Sequence, residues 1–280
     1  MRNILGIIIC TIFLLSCKPP GIYHKETPDN EFTILTYNVA GLPQGISSSN
    51  PLINMPQISQ KLNLFDIVLV QEDFSYHGNL RYGDGHPYES VFDSFHGTLG
   101  DGLNSFSYCN FTDFQRVTWE ACYGFLGNAN DCLTPKGFMF ARYEISSGVF
   151  VDIYDLHMDA GGADGDNEAR IVGVEQLIDK INTFSAGRAV IVCGDFNMRY
   201  TNTIDNINLT RLISSTGLTD SRIELGNTEE RIDKILYRSN SAVLLTPVTY
   251  TVESGTFLDS KGKQLSDHEA VCVLFRWDNS

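Results

Sequence analysis

The amino-acid sequence predicts a single α/β domain in which β-sheets lie inside and helices cover them. Two observations lead to this prediction: the chain contains many short strand-like runs with only a few segments of helical spacing, and no linker separates them. A third observation is the composition, because 42% apolar and 19% charged residues in 280 positions are typical of a globular protein with a substantial core. A layered sandwich is the architecture that best combines these elements.

The first half of the chain provides four candidate elements. In chain order they are the strand EFTILTYNVAGLP with a turn at Gly41–Pro43, the short helix QISQKLNLF, the apolar strand DIVLVQEDF and the glycine-punctuated strand GDGLNSFSYC. Residues 110–135 contain turn signals without sustained periodicity, which predicts a long inserted loop.

The second half alternates strands with two helices. The predicted strands are KGFMFARYEI, GVFVDIYDLHMDAG, AVIVCGDFN, RIDKILYR, AVLLTPVTYTV and EAVCVLFRW. The segment NEARIVGVEQLIDKINTF has helical spacing of its apolar residues, and a second helix is expected from Asp205 to Ser215, before Gly217.

The charge balance restricts the class of partner. The formal net charge is −14, from 34 acidic and 20 basic residues. Tight binding to a phosphate backbone normally requires a basic surface. The composition therefore argues against a tight nucleic-acid binder, although a local basic patch or a metal-mediated phosphate contact stays compatible with it.

The N-terminus MRNILGIIICTIFLLSCKPPG has the pattern of a processing signal. A basic residue precedes an apolar run that is too short to span a membrane but suits a signal-peptide core. The stretch LLSC resembles the bacterial lipoprotein box, which predicts a signal peptide at residues 1–16, lipidation of Cys17 and a tether at residues 17–30. The expected location is the bacterial cell envelope, and an ordinary secretory signal or a short anchor is the alternative.

Cysteine positions suggest both buried thiols and a disulfide. Cys193 and Cys272 lie in strand-like runs and are expected to be buried apolar residues. Cys109, Cys122 and Cys132 lie in the loop-like stretch, where an exported protein can keep a disulfide. A Cys122–Cys132 bridge is expected, with Cys109–Cys122 as the main alternative.

Polar side chains occur where apolar strands begin or end. They are Asn38, Glu72, His157, Asp195, Asn197, Asp233, Asp267 and His268. Each of them singly has an ordinary structural interpretation, such as a turn cap or an ion pair, but their common placement at strand ends predicts a shared site. Oxygen donors suit a hard divalent cation such as Mg²⁺, and histidines near carboxylates suit proton transfer near neutral pH.

Six motifs occur in the order found in the endonuclease/exonuclease/phosphatase superfamily, which the chain resembles from Leu35 to Val271. They are LTYNVAGLP, VQED, LHMDAG, GDFN, RIDKIL and SDHEAV. The resemblance implies a DNase I-like fold, a four-layered α/β/β/α sandwich of two packed, mostly antiparallel sheets with outer helices. The implied catalytic domain comprises residues 31–278.

Within this superfamily the chain looks most similar to bacterial neutral sphingomyelinases. DGLNSFS, EACYGFLGNANDCLTPKGFMFARYE and EARIVGVEQLIDKI resemble segments of those enzymes. Two features depart from their pattern. A short polar segment, TPVTYTVESGTFLDSKGKQL, stands where a long hydrophobic hairpin often precedes the final Asp-His, and Asp73 adds an acid directly after Glu72.

The resemblance implies roles for the polar residues at the strand ends. Asn38, Glu72 and Asp267 would hold Mg²⁺, with Mn²⁺ or another divalent cation as the alternative. His268 would act as the general base, oriented by Asp267 or Asp195. His157 would contact the phosphate or protonate the leaving oxygen, and Asp195 and Asn197 would position the water or hold the phosphate. Asp233 would orient a catalytic histidine from behind. Lys136 and Arg170 would contact the phosphate or, as the alternative, form surface salt bridges.

The implied function is a Mg²⁺-dependent phosphodiesterase that cleaves a phospholipid head group, of the sphingomyelinase or phospholipase C type. Its expected partners are a phospholipid or other phosphodiester and a membrane reached through lipid on Cys17, and the chain is expected to be a monomer. Alternatives of the same fold are an exported nuclease and a phosphomonoesterase. A catalytically inactive surface-binding lipoprotein is the alternative from another class.

Overall fold

The computed structural model describes residues 29–47, 49–94, 99–124 and 131–279. The predicted signal peptide, Cys17 and nearly all of the predicted tether lie outside the described residues. Within the described ranges, every helix is too short or too polar to serve as a membrane span.

Twelve strands and five α-helices make up the described fold. The strands are β1 (Glu31–Asn38), β2 (Ile67–Gln71), β3 (Tyr88–Glu89), β4 (Asn104–Ser107), β5 (Phe111–Thr118), β6 (Gly137–Ser146), β7 (Val149–His157), β8 (Val190–Asp195), β9 (Thr219–Asp220), β10 (Asp233–Arg238), β11 (Val243–Val252) and β12 (Val271–Asn279). The helices are α1 (Pro51–Leu62), α2 (His77–Arg81), α3 (Asp164–Phe184), α4 (Thr203–Thr216) and α5 (Ser221–Glu224).

The strands form two six-stranded sheets of matching design. One sheet has the order β11-β12-β1-β2-β4-β3 and the other has the order β5-β6-β7-β8-β10-β9. Each sheet contains one parallel pair, β1–β2 or β7–β8, and its remaining pairs are antiparallel. The predicted pair of mostly antiparallel sheets is therefore confirmed, with a parallel pair at the centre of each.

Apolar side chains fill the space between the sheets and beneath the helices. Ile34 of β1 and Ile191 of β8 belong to one buried cluster to which both sheets contribute. Leu177 of α3 packs in a second cluster with side chains of β7 and β8, and Met55 of α1 packs in a third with β1 and β2. The two sheets are thus the inner layers, and the helices cover their outer faces as the sequence predicts.

The predicted loop at residues 110–135 is wrong in its first part, because it contains β5. This strand lies at the edge of its sheet and most of its side chains are exposed or half-buried, so its sequence lacks the apolar signal of a central strand. Its pairing register also shifts between Thr112 and Gln115, around Asp113, whose φ is +57°. Such an irregularity weakens the period-two pattern on which strand prediction depends.

Four cysteines are placed as the sequence suggests. The structure contains the Cys122–Cys132 disulfide, with an S–S distance of 2.00 Å. Cys193 and Cys272 are buried free thiols in β8 and β12. The disulfide closes the loop that precedes β6, and Lys136 lies between that loop and the strand.

Candidate active site

Both sheets direct the ends of their central strands towards the same region. Asn38 ends β1 and Glu72 directly follows β2, its parallel neighbour. In the other sheet, the register aligns His157 of β7 with Asp195 of β8, and Asp195 with Asp233 of β10. Because parallel strands finish at the same edge, the topology brings the predicted strand-end residues together.

Asp195 is the central residue of this arrangement. Its Oδ2 atom accepts a hydrogen bond of 3.2 Å from Asn38 Nδ2, and it lies 3.5 Å from His157 Nε2 and 3.8 Å from His268 Nε2. Its Oδ1 atom accepts from the backbone N–H of Asn197 at 3.0 Å. The carboxylate is buried, so two imidazoles and an amide share one carboxylate oxygen away from bulk water.

Glu72 meets Asp195 through the same amide. Asn38 Nδ2 donates to Glu72 Oε1 at 3.1 Å as well as to Asp195, so one NH₂ group holds two carboxylates. Asn38 Oδ1 is itself fixed by the backbone N–H of Ala40 at 3.1 Å. The two carboxylates are therefore close enough to act on one bound group.

Backbone strain is concentrated here. Four described residues other than glycine have positive φ, and three of them are in this region: Ala40 at +51°, Glu72 at +59° and Asn197 at +50°. Such left-handed conformations cost free energy in residues with a side chain, and they persist where the surrounding structure enforces them, often at functional sites. The strain supports the interpretation of this region as a functional site.

His268 is oriented by Asp233. Its Nδ1 atom lies 2.9 Å from Asp233 Oδ2, which makes Nδ1 the protonated nitrogen and directs Nε2 towards Asp195. The predicted orientation by Asp267 or Asp195 is thus corrected, because Asp195 faces Nε2 and Asp267 is exposed. The predicted position of Asp233 behind a catalytic histidine agrees with this contact.

The two histidines of the site differ in pKa. Burial lowers the pKa of His157 well below its ordinary value, and the positive charges of Lys136 and His268 lower it further. Burial also lowers the pKa of His268, but the hydrogen bond and charge of Asp233, together with Asp195 and Asp267, raise it overall to about 10. In the metal-free protein at neutral pH, His157 is neutral and His268 carries a proton.

The pKa of Asp195 is also shifted. Burial raises it to about 6, and the neighbouring charge of Asp233 adds to the rise, while His268, Lys136 and the N–H of Asn197 oppose it. A positive charge placed beside this buried carboxylate would stabilise its ionised form. The pKa shifts of Asp195, His157 and His268 all occur where the strand ends meet, a pattern typical of active sites.

A cavity of about 320 Å³ opens above these groups. Its polar lining residues include Glu72, His157, Asp195, Asn197, His268, Asp131, Thr134 and Lys136. Leu42, Ile46, Phe74, Leu99 and Leu133 form an apolar wall. The cavity thus combines a charged floor with a hydrophobic side.

Lys136 and Arg170 have different surroundings. Lys136 lines the cavity, where its Nζ forms an ion pair with Asp131 and donates to the carbonyl of Met158 at 3.2 Å. Arg170 is buried on α3 and donates to the carbonyls of Asp159 at 2.9 Å and Gly161 at 3.0 Å. Lys136 can therefore meet a phosphate in the cavity, whereas the contacts of Arg170 fix the loop that follows β7.

Asp73 and Asp267 differ from the other acids of the motifs. Asp73 turns away to His77 Nδ1, at 2.6 Å, and Asn104 Nδ2, at 2.9 Å, so the additional acid is part of a separate network. Asp267 is exposed, and its Oδ1 atom accepts from Ser266 Oγ at 3.3 Å. Its role as a cation ligand stays a prediction.

Two supporting residues were not predicted. Asp131 holds Lys136 and also accepts from the backbone N–H of Ala160 at 3.0 Å. Ser266 donates to the carbonyl of Asn38 at 2.7 Å and accepts from the N–H of His268 at 3.2 Å, which joins the two motifs. The position of Ser266 directly before Asp267 could have indicated its supporting role, but nothing in the sequence around Asp131 indicates a contact with the site.

The donor set fits a hard divalent cation. Glu72 and Asp195 converge on Asn38, and among the described residues neither carboxylate forms an ion pair with a lysine or arginine. Carboxylate and amide oxygens are the ligands that Mg²⁺ and Mn²⁺ prefer. Nδ2 of Asn38 faces the two carboxylates in this structure, so Asn38 would offer Oδ1 to a cation only with its amide turned over. Asp195, Asp233 and His268 also have potential ligand atoms within 4.8 Å of one another, although His268 is already paired with Asp233.

Comparison with known proteins agrees with the motif order. A profile of the Endonuclease/Exonuclease/phosphatase family matches residues 35–268. The chain belongs to this family. The match extends from β1 to His268 and therefore includes every strand end described above.

Sphingomyelinases are among the family members similar to this chain. Those of Mycobacterium tuberculosis and Mycobacterium bovis are 34% identical over an alignment of 275 residues, which covers 90% of this chain and 54% of theirs. The chain thus spans about half the length of these curated relatives.

Solved structures agree on the fold. Sphingomyelinase C from Streptomyces griseocarneus superposes with a TM-score of 0.64 at 16% identity, covering 88% of this chain and 99% of that one. A double mutant of beta toxin from Staphylococcus aureus with bound magnesium ions gives 0.64 at 14% identity, covering 87% and 99%. Likeness at these identities shows the family fold and leaves the substrate open.

Proposed function

We propose that the chain is a divalent-cation-dependent phosphodiesterase that hydrolyses the head-group phosphodiester of a phospholipid. The observation that carries this proposal is the convergence of His157, His268 and Glu72 on Asp195 and its amide partner at the floor of one cavity. Two histidines of different protonation beside paired carboxylates can transfer a proton and bind a cation at one phosphate.

The side chains divide the work of hydrolysis among them. A water oxygen attacks phosphorus, the bond from phosphorus to the lipid oxygen breaks, His268 Nε2 takes the proton of the water, and the leaving lipid oxygen receives a proton from His157 Nε2 or from solvent. Asp233 holds the opposite ring nitrogen and stabilises the imidazolium that forms. His157 Nε2 is placed to contact the phosphate or the leaving oxygen, and Asn197 and Lys136 line the space that the phosphate occupies.

Glu72, Asn38 and Asp195 are the residues that would hold the cation, with Asp267 as a further predicted ligand. A bound Mg²⁺ or Mn²⁺ supplies positive charge that polarises a phosphoryl oxygen and lowers the pKa of His268. Without such a charge, His268 has a pKa of about 10 and is already protonated at neutral pH. His268 can therefore accept a proton at neutral pH only when the positive charge of the cation has lowered its pKa.

A phospholipid suits the chain better than a nucleic acid. The mycobacterial relatives are sphingomyelinases, and they share 34% identity with this chain. The net charge is −14, and Lys136, the one lysine or arginine among the described cavity residues, is already paired with Asp131. A nuclease groove would require unpaired basic side chains along the phosphate path.

The N-terminal sequence adds a proposal about location. We infer export and lipidation at Cys17 from the LLSC stretch, which would hold a monomeric catalytic domain of residues 31–278 at the cell envelope. A membrane anchor would place this domain beside phospholipid, in accord with the proposed substrate.

A panel of substrates tests the proposed function. We expect the full chain with Mg²⁺ to release a phosphorylated head group from sphingomyelin or phosphatidylcholine vesicles, to stop releasing it with chelator, and to leave plasmid DNA intact. Head-group release is measured by phosphorus NMR and DNA nicking by gel electrophoresis. Nicking without head-group release would contradict the proposal, as would activity limited to a soluble phosphate monoester.

A further inference from the structure

The mouth of the cavity has an apolar rim that no catalytic role explains. Leu42 and Ile46 come from the loop after β1, Leu99 from the segment before β4, and Leu133 from the position directly after the disulfide-bonded Cys132. We call these four residues the mouth rim. Three segments that are distant in sequence therefore place an aliphatic side chain at one opening.

The mouth rim faces solvent. Ile46 is 72% exposed and Leu133 is 52% exposed, while Leu42 and Leu99 are half-buried. Exposed aliphatic side chains are individually common, but a group of them around an active-site opening marks an interaction surface. Covering such side chains removes apolar area from water, which favours association.

The segments that carry the mouth rim are themselves uncharged. The rim segments 42–47, 99–100 and 133–135 contain no charged residue, although the chain has a net charge of −14. An uncharged, apolar surface on a strongly acidic protein fits a partner that is apolar inside and has no net negative charge. Anionic partners would be repelled by the remainder of the chain.

We propose that the mouth rim contacts the surface of a zwitterionic phospholipid bilayer, with its aliphatic side chains at the boundary between head groups and acyl chains. The proposal rests on the proposed function for its substrate, since a head-group phosphate on the cavity floor leaves the acyl part of the same lipid at the mouth. It also gives the chain a membrane contact that does not need the hydrophobic hairpin, which is short and polar here.

The rim has a consequence for specificity. A lipid in a bilayer is bound through contacts with both the rim and the cavity floor, whereas a small soluble phosphodiester is bound through contacts with the cavity floor alone. Replacing Ile46 and Leu133 by glutamine, which removes apolar contact without adding charge, should therefore lower kcat/KM on vesicles by roughly tenfold for each side chain, and should lower it much less on a soluble phosphodiester. The double variant keeps every residue of the cavity floor.

Site-specific fluorescence tests the contact without turnover. The full chain is prepared as Ile46→Trp and, as a matched control, as Ile207→Trp, because Ile207 is 63% exposed on α4. Each is mixed, in chelator, with phosphatidylcholine vesicles whose acyl chains carry bromine, a quencher of tryptophan fluorescence. The two native tryptophans contribute equally to both proteins.

We expect emission to be lost from the Ile46→Trp protein beyond that from the Ile207→Trp protein, and the loss to shrink when anionic lipid is added. Equal quenching of the two proteins overturns the proposal, and so does quenching that requires anionic lipid. Quenching at position 46, together with no lipid hydrolysis in the separate Mg²⁺ assay, would refute the proposed function alone. Lipid hydrolysis without that quenching would refute the rim contact alone.

Discussion

Replacing His268 by glutamine is expected to lower turnover at least about a hundredfold, since a positioned general base typically contributes a factor of 10²–10⁴. Glutamine keeps much of the size of the side chain but cannot take a proton from the attacking water. Initial rates of head-group release at saturating Mg²⁺ measure the effect. Circular dichroism and thermal unfolding of the same preparation verify that the fold is intact.

Asp233→Asn isolates the orienting contact of this base. The hydrogen bond and charge of Asp233 help to hold the pKa of His268 at about 10, so removing the charge should move that pKa down towards the ordinary histidine range of about 6.5. The proton NMR titration of the imidazole in metal-free protein reports this shift. A merely structural aspartate would leave the imidazole pKa unchanged.

His77→Gln serves as the matched control, because the chain contains a second histidine–aspartate pair away from the cavity. His77 Nδ1 lies 2.6 Å from Asp73, compared with 2.9 Å between His268 Nδ1 and Asp233. We expect this variant to retain most of its turnover. Comparable losses in the His77 and His268 variants would contradict the assignment of the base.

The second large effect is expected on cation binding. Glu72→Gln should weaken Mg²⁺ binding at least about tenfold, because it removes one of the two carboxylates that converge on Asn38. Turnover should fall in parallel and recover in part at high Mg²⁺. Titration calorimetry on the substrate-free protein measures the affinity independently of activity.

Glu175→Gln provides the control for that experiment. Glu175 lies on the exposed surface of α3 and is paired with Arg211 of α4, so removing the charge of Glu175 should leave Mg²⁺ affinity unchanged. A Glu72→Gln protein that binds Mg²⁺ like the parent chain would show that the cation site lies elsewhere, for example at Asp233 and His268. Manganese binding can be followed in the same proteins by electron paramagnetic resonance.

The positions of the site residues at strand ends could be predicted from the sequence. Apolar strands are recognisable locally, and the polar residues at their ends follow directly from that recognition. The family motifs then indicate which of them share a site. Asn38, Glu72, His157, Asp195 and His268 do meet in the structure.

Which histidine Asp233 contacts, and which carboxylate holds the Nδ1 atom of His268, could not be predicted, because these contacts depend on register and loop conformation. The alignment of His157, Asp195 and Asp233 arises from pairing between strands that are distant in sequence. That pairing makes Asp233 the partner of His268. Asp267 was an equally plausible partner in the sequence because it stands next to His268, although neighbouring side chains in an extended chain point in different directions.

Loops were harder to predict than strands for the same reason. Asp131 contacts Lys136 while its carboxylate also accepts from the backbone N–H of Ala160 after β7, and its local sequence does not indicate either contact. Asp73 follows Glu72 directly but turns to His77 and Asn104, so adjacency in sequence was misleading. Strand β5 was missed because an exposed, bulged edge strand has no continuous apolar pattern.

Hydrolysis of sphingomyelin vesicles in ¹⁸O-labelled water, with Mg²⁺ and the full chain, tests most directly whether this site hydrolyses a phospholipid phosphodiester. Mass spectrometry of the products locates the bond that is broken. We expect phosphocholine that carries one ¹⁸O from water and ceramide that carries none, since water attacks phosphorus and the lipid oxygen leaves. The absence of phosphocholine, or ¹⁸O in the ceramide, would contradict the attack of water on the phosphorus of a phospholipid at this site.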